Sequence, residues 1–304
     1  MDTLVSTSFV ELSTQSQAGL SLSRRMKFLS LNVGLLDLQV AGLRLVPTPF
    51  LEERVGALVE TLLISDADVI ALQEIYSYTH KLFLIERLHE VFAHTYFDPM
   101  QRRFSLDNGL LLLSRHPIKN PILRHYRYKT WEERLLSTKG FLLCTIQLPE
   151  EREILILNTH MTAGGATNPQ GQRACRVRQS QAKEILYTFG QMPNKESILI
   201  GDFNCGPYVD AETFNMFLAD FVSPTPVPLE TWDAENILNQ MGPYASEHHP
   251  SQAIDHILIS KALHEKCTIH DTRLMYNEPT VYIETLDKKV TLSDHYGIQI
   301  ELEL

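Results

Sequence analysis

The chain has 304 residues, 44% of them hydrophobic and 21% charged, with a formal net charge of −10. That balance fits a soluble globular protein with a sizeable core, and α/β enzymes of this length are often single domains. The acidity counts against a protein whose main business is gripping nucleic-acid backbones, although a local basic patch stays open, and against strong electrostatic docking on anionic lipid.

No apolar run approaches the ~20 residues of a membrane helix. Met1-Asp2-Thr3-Leu4 has no basic n-region and leads into no sustained apolar stretch, so no secretory signal is expected. Cys144, Cys175, Cys205 and Cys267 are scattered with no C-x-x-C pair. A disulfide framework or zinc site is therefore unsupported, and a reducing, cytoplasmic setting is the default expectation. Export by a specialised route stays open.

Residues 1–25 are rich in Ser, Thr and Gln without firm periodicity, and read as a leader or peripheral segment beside a single catalytic domain over 26–304. Lys27–Val33 is the first expected strand. After Pro47 and Pro49, Leu51, Val55, Leu58, Val59, Leu62 and Leu63 recur at helix spacing. Val69–Leu72 reads as a buried strand running into Gln73-Glu74, and His80–Val91 as a second helix. Leu110–Leu113, 122–128, 139–148, Ile154–Leu157, Ile198–Ile200, Ile254–Ile259 and Gly297–Leu302 read as further strands. Arg173–Phe189 and Ala211–Leu218 read as helices, and Phe221–Pro228 as a proline-rich loop. There are more strands than a simple βαβ ladder supplies, which suggests two sheets packed face to face with helices outside.

Apolar strands repeatedly end in a polar residue: Asn32, Glu74, His160, and Asp202 with Asn204. Asp255 lies in Ile254-Asp255-His256-Ile257, and Asp294-His295 precede the last strand. Asp202 and Asn204 are two apart, which on an extended backbone points them to one side; the competing reading of Gly201-Asp202-Phe203-Asn204 is a plain Asx turn. No Ser or Cys sits in a nucleophile-elbow setting. The inventory suits metal-assisted attack of water on a phosphodiester. Glu74 offers a hard oxygen to Mg²⁺. Asn32 and Asn204 offer amides that add no repulsive charge. His295 titrates near neutrality and suits a base, with Asp255 as the carboxylate that fixes its tautomer. His160 can donate to a phosphoryl oxygen. Taken singly, each of these positions is more economically a turn, a solvated acid or a structural histidine. His256 and His248-His249 are read as structural or loop residues.

The order of these motifs resembles the endonuclease/exonuclease/phosphatase superfamily over Met26–Leu304. The match rests on Asn32, Gln73-Glu74, Gly201-Asp202-Phe203-Asn204, Ile254-Asp255-His256-Ile257 and Ser293-Asp294-His295. The resemblance implies a deoxyribonuclease-like, four-layered α/β sandwich, two packed mixed β-sheets flanked by helices, with a Mg²⁺ site (or Mn²⁺ in its place) at one end. Within the superfamily the chain looks most like the neutral sphingomyelinases, through Ala71–Ile75, Asn108–Leu111, Ser114–Ile118, Ser137–Phe141 and Asn158-Thr159-His160-Met161. Abasic-site nucleases of the superfamily generally place a tyrosine where His160 stands.

The resemblance implies metal ligands Glu74, Asn32 and Asp294, and catalytic His295, Asp255, His160, Asp202 and Asn204. It implies Asn108 and Lys139 as substrate contacts, although a loop lysine is usually only solvated. The implied partner is a phospholipid at a membrane surface, cleaved as sphingomyelin to ceramide and phosphocholine. Nucleic acid is the disfavoured alternative substrate, since Arg173, Arg176, Arg178, Arg102 and Arg103 make a thin basic groove. A phosphatase, or a binding protein on this scaffold, are further alternatives. Membrane-attacking relatives carry an aromatic-tipped hairpin before the last motif. Here that interval holds Tyr276 and Tyr282, but Asp287-Lys288-Lys289 at the expected turn makes a poor apolar wedge.

Overall fold

A computed structural model describes residues 25–36, 38–40, 43–46, 48–100, 106–163, 171–193, 195–225, 227–241 and 250–304. The segment read as a leader (save Arg25), Pro47, Arg102, Arg103, His248 and His249 lie outside the described residues.

In chain order, β1 (Arg25–Leu35) precedes a small hairpin of β2 (Leu38–Val40) and β3 (Leu43–Val46). Helix α1 (Leu51–Leu63) carries Glu52 and Glu53 in its first turn, where the helix dipole favours negative charge. β4 (Val69–Ile75) follows, then α2 (Tyr78–Leu88), whose N-cap Ser77 accepts from His80 N. β5 (His94–Phe97), β6 (Leu111–Ser114) and β7 (Ile118–His125) lead to α3 (Trp131–Leu136), which a Thr130–Glu133 capping box opens. β8 (Gly140–Gln147), β9 (Glu153–His160), α4 (Gln172–Gln191) and β10 (Ser197–Asp202) form the next block. The chain continues through α5 (Ala211–Phe217), β11 (Phe221–Val222), α6 (Ile237–Met241), β12 (Asp255–Ser260) and α7 (Lys261–His264). It ends with β13 (Thr268–Met275), the hairpin of β14 (Val281–Ile283) and β15 (Lys288–Val290), and β16 (Gly297–Glu303).

These strands build two six-stranded mixed sheets, ordered β13-β16-β1-β4-β6-β5 and β11-β12-β10-β9-β8-β7. Each is centred on a parallel pair, β1 with β4 and β9 with β10, whose crossovers contain α1 and α4. Phe28, Ala71, Ile156, Ile200, Ile257 and Ile300 meet between the sheets. Val55, Leu58 and Leu62 of α1 cover the outer face of the first sheet, and Ile185 and Phe189 of α4, with Phe214 and Phe217 of α5, cover that of the second. The result is helix, sheet, sheet, helix, the four-layered sandwich that the sequence implied.

Several boundaries differ from the sequence reading, for physical reasons. The strand expected over 122–128 is Ile118–His125, because Asn120-Pro121 mimics a turn. Asn120 sits at φ +49° in a register shift between Lys119 and Ile122, on an edge strand where a missing N–H is tolerated. Phe221-Val222 leave the expected loop to pair with β12. β13, polar and half-buried at a sheet edge, has too little apolar alternation to be read as a strand.

Gly201 stands one residue before Asp202 with φ +140°, and a Cβ there would meet Thr159 O at 2.0 Å. The close approach of β10 to β9 at the site end therefore depends on a missing side chain. We expect Gly201→Ala to cost about 2–4 kcal/mol, read as a lower urea midpoint at unchanged m-value. A wild-type midpoint would show that the backbone relaxes without loss.

Candidate active site

The carboxyl ends of the four central strands lie at the same end of the sandwich. Two buried amides hold the sheets together just below it. Gln73 Nε2 on β4 donates to Asn158 Oδ1 on β9 at 2.9 Å, and Asn158 Nδ2 donates back to Leu72 O and Leu111 O. One residue further along β4, Glu74 sits at an irregularity of the strand with φ +61°, an uncommon conformation for a residue other than glycine or asparagine. Asn32 Nδ2 then bridges the sheets, donating to Glu74 Oε1 at 3.1 Å and Asp202 Oδ2 at 3.0 Å, while its Oδ1 accepts from Gly34 N.

Opposite them, His295 Nδ1 meets Asp255 Oδ2 at 2.8 Å. Thr231 Oγ1 accepts from Asp255 N, and Ser293 Oγ donates to Asn32 O at 2.7 Å and accepts from His295 N. The hydroxyl of Ser293 thus ties the loop that carries the histidine to the strand that carries Asn32. Gly34, at φ +54°, lets Asp294 pack where a Cβ would stand, 1.9 Å from Asp294 Oδ1. Beneath this junction the buried Arg54 donates to Val33 O, Gly34 O and Leu292 O, tying α1, β1 and the final loop to one guanidinium.

On the remaining side, Lys139 is buried. Its Nζ donates to His160 Nε2 at 2.9 Å and Met161 O at 2.8 Å, and lies 3.4 Å from Glu133 Oε1. With Nε2 accepting, the ring proton of His160 is left at Nδ1, which faces Tyr76 Oη at 3.4 Å. Asn108 sits in a turn held by Asp107, whose carboxylate takes Gly109 N and Lys81 Nζ, and the adjoining Gly109 O accepts from Ile75 N beside Glu74. Among the described residues, Asn108 Nδ2 is buried with no hydrogen-bond partner, as is Asp255 Oδ1.

The electrostatics follow from crowding acids in a buried space. Burial, then the charge of Asp294, raises Glu74 above the usual carboxylate range against the pull of His295 and Lys139. Burial and Asp255 hold Asp202 up at about 7. Burial alone would discharge His295, but the charge and hydrogen bond of Asp255, with Asp294 and Asp202, keep its imidazolium well above the ordinary histidine value. Burial, and then the charges of Lys139 and His295, push His160 well below it, so that ring is neutral.

Ligand atoms of Glu74, His160 and Asp202 all lie within 4.8 Å of one another, as do those of Asp202, Asp255 and His295. Oxygen-rich donors that repel one another and resist ionisation, beside an orphaned carboxylate oxygen, fit a hard divalent cation.

The structure brings together Asn32, Glu74, His160, Asp202, Asp255 and His295, with Lys139 and Asn108 at the margin. Asp294 belongs to neither ligand cluster and is engaged by Ser293 Oγ. Asp202 and Asn204 do not share a side through an extended backbone. β10 ends at Asp202, Asn204 takes φ +51°, and its N–H donates to Asp202 Oδ1 at 2.8 Å. The Asx turn is real and is itself part of the site. Lys139 is 5% exposed rather than a solvated loop lysine. Arg178 is buried on Asp210 and Thr162 O, which removes it from any basic groove. His256 is structural as expected: burial lowers it to about 4, and Nε2 lies 2.8 Å from Cys205 O.

Arg54, Tyr76, Glu133, Thr231 and Ser293 were given no role by the sequence reading. Three carried a signal, Ser293 as part of Ser293-Asp294-His295. Arg54 falls on the apolar stripe of α1, and Thr130-x-x-Glu133 is a capping-box spacing.

A model of the Endonuclease/Exonuclease/phosphatase family matches residues 29–295. Sphingomyelinase C of Bacillus cereus is 27% identical over 218 residues, 65% of this chain and 62% of that relative, so the match spans less than two thirds of the relative's length. A beta toxin variant of Staphylococcus aureus, solved with bound magnesium ions, superposes with TM-score 0.69 at 18% identity, covering 91% of this chain and 99% of that one. TDP2 of D. rerio, complexed with a single-strand DNA product, gives TM-score 0.64 at 16% identity, covering 92% and 99%. At these identities the two structures establish a shared fold.

The raised Asp202 has a consequence for stability. An unfolded aspartate titrates near ~3.9, so between that value and about 7 the folded chain holds the extra proton. Its contribution is greatest below the unfolded value and is lost as pH rises through about 7. In EDTA, the melting temperature of the wild type is expected to fall more steeply from about pH 5 to about pH 8 than that of Asp202→Asn, with Mg²⁺ restoring the wild type at the upper pH. Parallel slopes in calorimetry would refute the assignment.

Proposed function

The chain belongs to the endonuclease/exonuclease/phosphatase family, and from that footing we propose that it is a metal-dependent phosphoric diester hydrolase acting on a phospholipid head group. The substrate proposed is sphingomyelin, cleaved to ceramide and phosphocholine. The observation that carries the chemistry is the convergence of Glu74 and Asp202 with the Asp255–His295 pair at one strand-end floor. The choice of lipid is supported by the 27% identical sphingomyelinase C and by the net charge of −10, which a zwitterionic head group tolerates.

In this reading Glu74 and Asp202 hold Mg²⁺, or Mn²⁺ in its place, with Asn32 steadying both carboxylates. When bound, the ion supplies positive charge that offsets the acids, favours neutral imidazole at His295 and attracts a phosphate to Glu74. His295, oriented by Asp255 through Nδ1, takes the proton of the attacking water at Nε2. Asp202 and Asn204, fixed together by their turn, orient that water and the phosphate. Lys139, seated on His160, places positive charge at the opposite wall, where charge grows on the phosphoryl oxygens. Asn108, with its unpaired amide N–H, is a second donor there.

A second reading, a nuclease that hydrolyses the DNA backbone, is favoured by the fold shared with the DNA-complexed TDP2. The purified protein with Mg²⁺ should release phosphocholine from detergent-dispersed sphingomyelin and leave plasmid and abasic DNA intact. EDTA should abolish turnover, and His295→Ala should lower kcat by about 10²–10⁴. Nicked DNA without phosphocholine would establish the second reading instead. Glu74→Ala should lose most activity and regain part of it in excess Mg²⁺; full activity without added metal would show that the cation is not at Glu74.

A further inference from the structure

Helix α3 is the wall of the site nearest Lys139, and its two sides differ. Its inner side carries Glu133, which accepts from Thr130 N and Thr162 Oγ1 and faces Lys139 Nζ at 3.4 Å. Its outer side carries Trp131 and Leu135, one helical turn apart and therefore in one stripe. Trp131 is 56% exposed and Leu135 65%, and Tyr128, just before the helix, is 56% exposed. Three large apolar or aromatic side chains thus face solvent on and just before a helix that the capping box and Glu133 tie to the site.

The charge around them departs from the rest of the chain. Residues 124–139 contain Arg124, Arg127, Lys129, Arg134 and Lys139 against Glu132 and Glu133, a surplus of three positive charges in a protein of net charge −10. Exposed tryptophan and tyrosine among basic residues is the composition that settles at a membrane–water boundary, the rings at head-group depth and the cations on phosphates. The hairpin of β14 and β15 does not offer this. Val281, Ile283 and Val290 are packed into the core with α1, Tyr282 Oη donates to Asp287, and Lys288 and Lys289 are exposed at its end.

We propose that Trp131 and Leu135 on the outer face of α3, together with Tyr128 just before the helix, form the surface by which this protein seats on a phospholipid bilayer. The inference rests on the phospholipid reading of the site and adds the route of approach. The helix lies on the lipid, and the head group enters beside Lys139 and His160, directly behind it. Arg124, Arg127 and Arg134, the exposed basic residues of the same segment, meet lipid phosphates, while the acidic remainder of the protein stays away from the surface.

The test uses the full chain and vesicles of phosphatidylcholine and sphingomyelin. Wild type should sediment with the vesicles, and its tryptophan emission should shift to the blue. The chain has only Trp131 and Trp232, so Trp131→Phe should abolish the shift while keeping much of the binding. Trp131→Ala combined with Leu135→Ala should cut the vesicle-bound fraction about tenfold. Hydrolysis of soluble bis(p-nitrophenyl) phosphate by that variant should be unchanged, which also shows that it is folded. Tyr128→Ser, outside the helix, should weaken binding in the same direction.

Sedimentation of the double variant like wild type would overturn the proposal. So would a wild type that cleaves detergent-dispersed sphingomyelin yet does not bind vesicles. A wild type that binds vesicles through Trp131 but releases no phosphocholine from either form would uphold the surface and remove the sphingomyelinase reading.

Discussion

Everything at the site hangs on the amide couple between Gln73 and Asn158. A polar group left unpaired between two sheets costs about 1–3 kcal/mol, and the couple meets Gln73 Nε2 and both polar atoms of Asn158, leaving only Gln73 Oε1 of the couple without a partner among the described residues. The Gln73–Asn158 bond and the return bonds to Leu72 O and Leu111 O use groups from three strands in two sheets. A slip of one residue would turn these amides out of the interface and leave backbone carbonyls unmet. The sheets therefore have one alignment at this level. Glu74, the next residue after Gln73, and His160, two after Asn158, then come within 3.7 Å of each other. Asn32 repeats the device one layer higher between Glu74 and Asp202.

What these struts impose is unfavourable in itself. Glu74, Asp202 and Asp255 are driven into a space where each opposes the ionisation of another or is deprived of water. The protein offsets part of this with His295, Lys139 and the amide of Asn32, and part with Arg54. That guanidinium is buried on backbone carbonyls instead of a carboxylate, and its charge is felt by Asp294 and Glu74. Glu74 and Asn204 add two non-glycine residues at positive φ. Positive φ also occurs at turns elsewhere, as at Asn120 and Asp287, but here it coincides with buried acids that oppose one another's ionisation.

The legible part of this in the sequence was the strand-end polar residues. An apolar run of four to six residues that stops at an acid, amide or histidine gives both the strand and its exit, and most of the floor was found that way. The illegible part has a common cause. The sequence pattern marks the positions of Arg54 and Ser293 but not their tasks: with Thr231 they act on backbone groups of distant segments, Val33 O, Asn32 O and Asp255 N, and a backbone partner leaves no residue type to search for. The burial of Lys139 depends on α3, which leaves no periodic signal because it is about one and a half turns long with Trp131 and Leu135 exposed. For Asn204 the alternation rule gave the wrong geometry: the strand ends at Asp202, and the turn that seemed to compete with a functional reading delivers the amide.

The same distinction bears on where specificity lies. The floor is made of strand ends whose positions the sheets fix, so its acids and histidines admit any phosphodiester that can reach them. The walls are loops and short helices attached at few points, α3 through Thr130, Glu133 and Tyr128 O, and the final hairpin through its apolar edge on α1. A change in a wall leaves the Gln73–Asn158 alignment untouched, so a wall can be rebuilt for a new substrate at little cost to the fold. In this chain the hairpin is charged and folded down, while α3 carries the exposed aromatic and basic residues. On the proposed reading, substrate choice lies with α3 and the Lys139 side of the site, and the chemistry with the floor.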